Sequence, residues 1–237
     1  MRSYPNAARI LVAIDCIIFG FDGEQIKLLV IKRNFEPEQG NWSLMGGFLK
    51  QDEDLEDGAA RILYLLTGLD NIYVEQIHTA GRVDRDPVER TISVVFFALI
   101  NINDKELEAV ERHNAYWWSL SKKPALIFDH DEMVNKAIEY LRYKAALHPI
   151  GFELMPDRFS IPQLQKLYEA IYSMKLDRRN FSRKILSTGL LIETGEKDER
   201  SSTKKANLYK LDKERYKNKF HSFWHFMPQP VNTDINL

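Results

Sequence analysis

A short segment in the C-terminal part of the chain gathers side chains that can read DNA. Four cations and one amide follow Asp177 within two helical turns: Arg178, Arg179, Asn180, Arg183 and Lys184. Arginine can donate two parallel hydrogen bonds to guanine, and asparagine can pair with adenine in a similar way. In helix-turn-helix proteins the N-terminal turns of the second helix make these contacts. The segment therefore predicts a recognition helix, and the alternative is a basic helix face that contacts only solvent.

Four further cations follow on the next segment, which has the pattern of a β-hairpin. Residues 190–194 and 207–211 favour strands, and residues 195–206 form a polar connection between them. Lys197, Arg200, Lys204 and Lys205 lie on this predicted wing. Contacts to phosphate position a protein on DNA without specifying the base sequence. These four residues are therefore predicted to bind the DNA backbone.

The elements that must position these cations have the order of a winged helix-turn-helix. Ser160 and Gln163 stand at the two positions of a capping box. The apolar residues after them recur at i, i+3, i+4 and i+7, which predicts an amphipathic helix: Leu164, Leu167, Tyr168 and Ile171. Phe181 and Ile185 form the apolar side of the second helix, and Gly189 suits its left-handed C-terminal position.

The distribution of charge also separates this part of the chain from the rest. The 237 residues carry a formal net charge of -1. Residues 156–219 hold 16 Lys and Arg against 9 Asp and Glu, a net of +7, which leaves -8 for the remainder. Such an asymmetry indicates two domains, one of which has a polyanionic partner. We expect the boundary at Pro149, with domains at 1–149 and 150–237.

The first domain mixes strands and helices, which predicts an α+β protein. Strands are expected at 8–20, 26–33, 72–81 and 91–101, a strand or turn at 115–119, and helices at 54–67 and 130–147. The apolar runs are too short to span a membrane. The single cysteine, Cys16, allows no internal disulfide, and no signal peptide precedes it. We therefore expect a cytoplasmic protein without a membrane partner.

Residues 47–69 resemble the Nudix box, a loop-helix-loop motif of diphosphate hydrolases. In that motif a glycine is followed by five residues, a glutamate, seven residues and then Arg-Glu-aliphatic-x-Glu-Glu-x-Gly-aliphatic. The matching residues here are Gly47, Glu53, Arg61, Leu63, Gly68 and Leu69. The preceding residues 42–48 resemble the strand that leads into the box. The resemblance implies a Nudix-like α/β/α sandwich with a mixed sheet.

The departures from the box decide what chemistry it can support. The three carboxylate positions on one face of the box helix are Ile62, Leu65 and Leu66 here. In an active hydrolase that face holds divalent cations, which need several oxygen ligands and stabilise the charge that develops on the diphosphate. The loss predicts no catalytic residue, no metal and no cofactor. A hydrolase with a relocated metal is the enzyme alternative.

A fold without its catalytic metals can still bind a small molecule. The candidate ligand residues around the former substrate cleft are Asp15, Arg33, Trp42, Phe48, Arg82, Asp84 and Glu89, and Arg85 and Asp86 crowd the same loop as Arg82 and Asp84. Asp15 interrupts an apolar strand, so it is either a structural anchor paired inside the protein or a ligand contact. Trp42 is either a flat ligand surface or part of the core.

Taken together, the two halves resemble one family, the Nudix-related transcriptional regulators. Besides the box, the resemblance rests on residues 82–87, 128–131, 159–170 and 176–184. It implies a homodimer in which an N-terminal Nudix-like domain binds an effector and a C-terminal winged helix binds a palindromic double-stranded DNA operator. The expected function is that of a ligand-responsive regulator, most simply a repressor.

The effector expected from the resemblance is ADP-ribose or a pentose such as L-arabinose, according to the branch of the family. Three features favour the sugar: the missing metal ligands, Met45 where the family has proline, and Glu89 where it has glycine. A carboxylate repels phosphate and accepts hydrogen bonds from sugar hydroxyls. The sequence therefore favours a pentose, with ADP-ribose as the alternative and a scaffold without a small ligand as a further class.

Overall fold

The computed structural model describes residues 7–70, 72–102, 104–147, 152–198 and 205–216. These residues form two compact units. The first comprises the described residues up to Met155 together with Lys166–Met174, and the second comprises Pro156–Gln165 and the described residues from Lys175 onward. The expected boundary at Pro149 lies outside the described residues.

The first unit is built on a mixed sheet whose centre is the long strand β1. The strands are β1 (Leu11–Phe21), β2 (Ile26–Lys32), β3 (Trp42–Ser43), β4 (Met45–Phe48), β5 (Glu75–Ala80), β6 (Thr91–Asn101) and β7 (Ala115–Ser119). Their main order is β3-β2-β1-β6-β5, with β4 also paired to β1 and β7 to β2. β1 pairs in parallel with the whole of β6 and antiparallel with β4 and β2 in turn. Alternate side chains of β1 therefore face opposite layers.

Helices cover both faces of this sheet. Helix α1 (Leu55–Thr67) packs Ala59, Ile62 and Leu63 on one face, against a cluster that includes Ile14 and Cys16 of β1. Helix α2 (Asp104–Arg112) contributes Val110 to the same cluster. On the other face, Tyr140 of helix α3 (His130–Leu147) makes an edge contact with Phe97 of β6, and their ring centroids are 5.8 Å apart. This is the predicted α/β/α sandwich.

The helix-turn-helix segment follows a short 3-10 turn at Phe152–Leu154. It contains strand β8 (Phe159–Ser160), helix α4 (Ile161–Tyr172) and helix α5 (Arg178–Ser187). The capping box is confirmed, because the Ser160 N–H donates to Gln163 Oε1 at 2.7 Å and Ser160 Oγ accepts from the Gln163 N–H at 3.4 Å. The four apolar residues predicted along α4 are all buried.

Helix α5 begins and ends as its sequence predicts. Asp177 is the N-cap, and its Oδ1 accepts the Asn180 N–H at 2.8 Å. Gly189 follows the helix with a φ of 66°, in the left-handed region that glycine tolerates best. The wing strands are β9 (Leu191–Lys197) and β10 (Asn207–Leu211), and they form a sheet in the order β8-β10-β9. The predicted fold class is thus confirmed.

Two further observations complete the fold. Helix α2 was not predicted, because it exposes most of its described charged residues and buries only Val110, so that its apolar periodicity is weak. Across the described residues, no helix combines the length and apolar character that a membrane crossing requires.

Candidate functional site

The first unit contains a cleft of about 780 Å³, including its open mouth. Three of the predicted ligand residues line it, namely Asp15, Arg33 and Phe48. Its other lining residues come from strands β1, β2, β3, β4 and β6, from helix α1, from the segments after β2 and between β5 and β6, and from the start of α3.

A buried ion pair forms the floor of this cleft. Arg85 Nε and Nη2 donate to the two carboxylate oxygens of Asp129 at 3.0 and 2.9 Å. Arg85 Nη2 also lies 3.6 Å from Asp15 Oδ2, which accepts a 2.6 Å hydrogen bond from Ser93 Oγ. Asp15 is therefore paired within the protein, as its structural alternative predicted. Gly46 is required beside it, since a Cβ there would lie 2.3 Å from Asp15 Oδ1.

His130 joins this network from the first turn of α3. Its Nδ1 accepts the Leu44 N–H at 3.2 Å, so the proton of the neutral ring is on Nε2. Nε2 lies 3.7 Å from Asp15 Oδ1. Burial lowers the pKa of His130, although Asp15 and Asp129 act in the opposite direction. The histidine is therefore neutral at physiological pH.

Arg33 stands at the cleft among aromatic rings. Its Cζ is 3.8 Å from the centroid of the Phe35 ring and 5.7 Å from that of Phe128, and its Nε donates to the Phe35 carbonyl at 3.2 Å. Phe35 and Phe48, which also line the cleft, are each about half exposed. This side of the cleft thus offers the Arg33 guanidinium and several flat apolar surfaces.

The Nudix-box segment keeps its frame but not its metal face. Arg61 Nε donates to Glu53 Oε2 at 2.8 Å and its Nη2 donates to the Phe48 carbonyl at 3.1 Å, which ties helix α1 to the preceding loop. The hydrogen bond from Arg61 lowers the pKa of Glu53 to about 2. Ile62 is buried, Leu66 lines the cleft and Leu65 is 60% exposed. These aliphatic groups supply no oxygen ligand where a hydrolase would hold its cation.

Clustered metal ligands are also absent elsewhere among the described residues. The described parts of the chain contain no group of three or more His, Cys, Asp or Glu side chains that could hold a metal ion. A Mg²⁺ ion needs an octahedral set of oxygen ligands, of which carboxylates are the usual protein donors. The residues present therefore do not fit the metal that a Nudix hydrolase uses.

Four predicted ligand residues lie away from the cleft lining. Trp42 is half-buried and makes edge contacts with Tyr116 and Trp118, with centroid distances of 5.4 and 5.7 Å. Arg82 and Asp84 form an exposed ion pair at 2.9 Å, and Glu89 is also exposed. Of the four charged residues that the sequence places on this loop, Arg85 and Asp86 line the cleft, whereas Arg82 and Asp84 do not.

Two residues that sequence reasoning missed share one signal. His130, which lines the cleft, and Asp129, whose carboxylate binds Arg85, both belong to segment 128–131, which carried the family resemblance. A charged residue that is buried needs a partner, but the sequence cannot show which segments meet.

The predicted DNA-reading side chains are all exposed on helix α5: Arg178, Arg179, Asn180, Arg183 and Lys184. Asn180 Oδ1 accepts a 2.8 Å hydrogen bond from Arg183 Nη2, which links two of them on one helix face. Ile185 is buried and attaches the helix to its own unit. Among the predicted wing cations, Lys205 is exposed, whereas Arg200 and Lys204 lie outside the described residues.

Comparison with protein families identifies both parts of the chain. Residues 9–137 match the NUDIX domain, and residues 151–211 match the NrtR DNA-binding winged helix domain. The fold and the site thus define a Nudix domain joined to a DNA-binding winged helix. The chain belongs to the NrtR-like family of transcriptional regulators.

Individual relatives agree with this assignment. The ADPR responsive transcriptional repressor NtrR of Acinetobacter baylyi is 32% identical over 217 residues, which cover 90% of this chain and 85% of the relative. The crystal structure of Shewanella oneidensis NrtR complexed with a 27mer DNA has a TM-score of 0.75 at 28% identity, and the match covers 87% of this chain and 95% of that one. The NUDIX domain of the same protein, solved with ADP ribose, has a TM-score of 0.52 at 29% identity, and the match covers 59% of this chain and 94% of that domain.

One relative is an enzyme. The ADP-ribose pyrophosphatase of Methanocaldococcus jannaschii is 32% identical over 145 residues, which cover 61% of this chain and 80% of the relative. Sequence similarity to this hydrolase therefore does not distinguish an enzyme from a binding protein. The residues at the metal-ligand positions of the box make that distinction.

Proposed function

We propose that this protein is a transcriptional repressor whose Nudix domain binds ADP-ribose and whose winged helix binds operator DNA. The observation that carries the proposal is a Nudix cleft with an intact frame, formed by Glu53 and Arg61, but with aliphatic side chains where a hydrolase holds its metal. Such a cleft suits a ligand that is bound and released unchanged. The names of the relatives, which pair ADP-ribose with repression and with DNA, support it.

ADP-ribose is favoured over a pentose by the contents of the cleft. The exposed rings of Phe35 and Phe48 suit a nucleotide, since a single pentose has no flat base to stack on them. Two sequence arguments for the sugar also lose their force. Met45 is fully buried in the core, and Glu89 does not line the cleft, so neither changes the ligand's surroundings.

We also propose that the protein does not hydrolyse its ligand. Hydrolysis of a diphosphate in this fold needs bound cations to stabilise the transition state, and the residues that the structure describes offer no cluster of donor atoms for them. Incubation of the purified protein with ADP-ribose and excess Mg²⁺ or Mn²⁺ should yield no AMP by chromatography. Turnover that rises in proportion to protein concentration, and that Arg33→Ala reduces, would contradict this part of the proposal.

Helix α5 is proposed as the recognition helix of a homodimer. An operator can be obtained by selecting tightly bound duplexes from a random library. Arg179→Ala should then weaken operator binding by about 5- to 150-fold, because a bidentate contact to a base contributes about 1–3 kcal/mol. Unchanged affinity in a mobility-shift assay would remove this assignment. A palindromic selected sequence and a dimer mass by light scattering would support the two-fold arrangement.

Lys205 has a different predicted role, in binding phosphate rather than bases. Lys205→Ala should weaken binding to all duplexes alike. It should also reduce the slope of log affinity against log salt concentration by about one, since one phosphate contact is lost. Lys213→Ala, which removes another lysine of the same unit outside the predicted interface, is the matched control. If Lys205→Ala changed which sequences are selected, it would instead contact bases.

A further inference from the structure

The box helix lacks the carboxylates that would bind a metal beside the diphosphate of ADP-ribose. The role inferred below for another cation rests on ADP-ribose being the ligand, as proposed above. A diphosphate carries negative charge into a partly dry cleft, where an unpaired charge is costly. In a Nudix hydrolase the cations offset that charge, but the positions that would hold them are Ile62, Leu65 and Leu66 here. Some other positive group must therefore face the diphosphate if the ligand is bound there.

The cleft has three candidate cations, and their partners distinguish them. Arg85 is almost fully buried and is committed to Asp129 by two hydrogen bonds. Lys32 is exposed and lies over the Trp42 ring, 5.1 Å from its centroid. Arg33 is half-buried, and within the described part of the chain it forms no ion pair with a carboxylate.

Arg33 is also held in place before any ligand arrives. Its Nε donates to the Phe35 carbonyl and its guanidinium lies against the Phe35 ring, which leaves the two terminal nitrogens without a hydrogen bond among the described residues. Partial burial removes part of the hydration of the guanidinium and lowers the pKa of Arg33, although Asp86 and Asp15 act in the opposite direction. Arginine remains protonated nonetheless. A fixed, partly desolvated guanidinium is well suited to a bidentate contact with phosphate oxygens.

We infer that Arg33 takes the place of the metal in this cleft, so that the diphosphate of the effector is bound by the guanidinium without a divalent cation. Arg33 is then a specificity residue for diphosphate-containing ligands. Asp86, which also lines the cleft, lies near enough to Arg33 to raise its pKa, so its carboxylate offsets part of the attraction between the guanidinium and a phosphate.

The test is a titration of the full-length protein with ADP-ribose by isothermal calorimetry, in EDTA and in excess Mg²⁺. We expect the same dissociation constant in both. Arg33→Ala should raise that constant by about 10- to 100-fold, because hydrogen bonds to charged groups contribute about 1.5–3 kcal/mol. Arg33→Lys keeps the positive charge but loses the bidentate geometry of the guanidinium. Its dissociation constant should therefore lie between those of the wild type and Arg33→Ala.

Two controls make the result specific. Arg112→Ala removes an exposed arginine on α2, outside the cleft lining, and should bind ADP-ribose as the wild type does. The thermal unfolding curve of Arg33→Ala should match that of the wild type. Among the described residues no carboxylate forms an ion pair with Arg33, so the substitution leaves no charge without its partner. Adenosine, which lacks the diphosphate, should bind both proteins equally.

The outcomes separate this inference from the proposed function. Binding that requires Mg²⁺, or binding that Arg33→Ala leaves unchanged, would overturn the role of Arg33 while ADP-ribose remains the effector. Failure of the wild type to bind ADP-ribose in either buffer would overturn the proposed effector itself, and the inference with it. Binding that is insensitive to EDTA and depends on Arg33 would support both.

Discussion

Arg85 and Asp129 hold three segments of the chain together beneath the cleft. Their side chains are 3% and 7% exposed, and Asp15 lies on the same guanidinium. Removing one partner of a buried ion pair leaves the other charge uncompensated, at a cost of about 3–5 kcal/mol. We therefore expect Arg85→Ala to lower the free energy of unfolding by about that amount, as measured by urea denaturation.

The neighbouring surface pair provides the comparison. Arg82 and Asp84 are 63% and 78% exposed, and such pairs contribute about 0–1 kcal/mol. Arg82→Ala should therefore change the unfolding midpoint only slightly. Equal losses in the two variants would mean that the buried network has no special structural role.

His130 makes the stability of the domain depend on pH. Burial places the folded-state pKa below the ordinary value of 6.5, so the unfolded chain takes up a proton at a pH where the folded protein does not. The contribution of His130 to the free energy of unfolding is therefore fully present above pH 6.5. It decreases as the pH falls from there toward the pKa of His130 in the folded protein.

The variant His130→Asn tests this dependence, because its side-chain oxygen can still accept the Leu44 N–H. Urea denaturation between about pH 7.5 and about pH 5.5 should show a smaller loss of stability for the variant than for the wild type. Parallel curves for the two proteins would show that His130 does not contribute to the acid sensitivity.

At the level of elements, helix α1 has aliphatic residues where the helix of an active Nudix box has its carboxylates. Ile62 is 2% exposed and packs in the core, whereas Leu65 is 60% exposed. Restoring the glutamates of an active box would therefore have unequal costs. Ile62→Glu should lower the free energy of unfolding by about 3 kcal/mol or more, because it buries a carboxylate and loses an apolar contact.

Leu65→Glu is the matched variant on the same helix. It should change stability by no more than about 0.5 kcal/mol, as is usual for exposed positions. Thermal unfolding of the two variants measures the difference. If Ile62→Glu were tolerated as well as Leu65→Glu, the helix would have kept room for a charged face.

The elements that sequence reasoning predicted well are those whose signals are local. The capping box at Ser160, the N-cap at Asp177 and the glycine after α5 each depend on a few neighbouring residues. The cleft was predicted only in part. Its Arg85, Asp129 and Asp15 come from segments far apart in the chain, and nothing local in any one of them indicates the partner.

Helix α2 and strand β8 illustrate the remaining difficulty. Helix α2 buries only Val110 among its described side chains, so it lacks a clear apolar stripe, and β8 has two residues. Both elements exist because the neighbouring structure provides their partners, α1 and β7 for the helix and β10 for the strand. Tertiary packing, rather than local preference, decides such elements.

For the whole molecule, the net charge of -1 conceals two functional parts. The segment that contains the winged helix carries +7, and the rest carries -8. The positive part has exposed Arg and Lys side chains on α5, and the other part holds the cleft. Coupling between them requires that ADP-ribose bind the DNA-free form more tightly than the DNA-bound form, and DNA must then weaken ADP-ribose binding by the same factor.

The central claim is best tested by fluorescence anisotropy of the selected operator duplex with the full-length protein. Addition of ADP-ribose in EDTA should release the DNA, and L-arabinose should have no effect. Arg33→Ala should bind the same duplex with unchanged affinity but should need a higher ADP-ribose concentration for its release. Operator binding that ADP-ribose leaves unaltered at a concentration that saturates the cleft, or release by L-arabinose, would contradict the account.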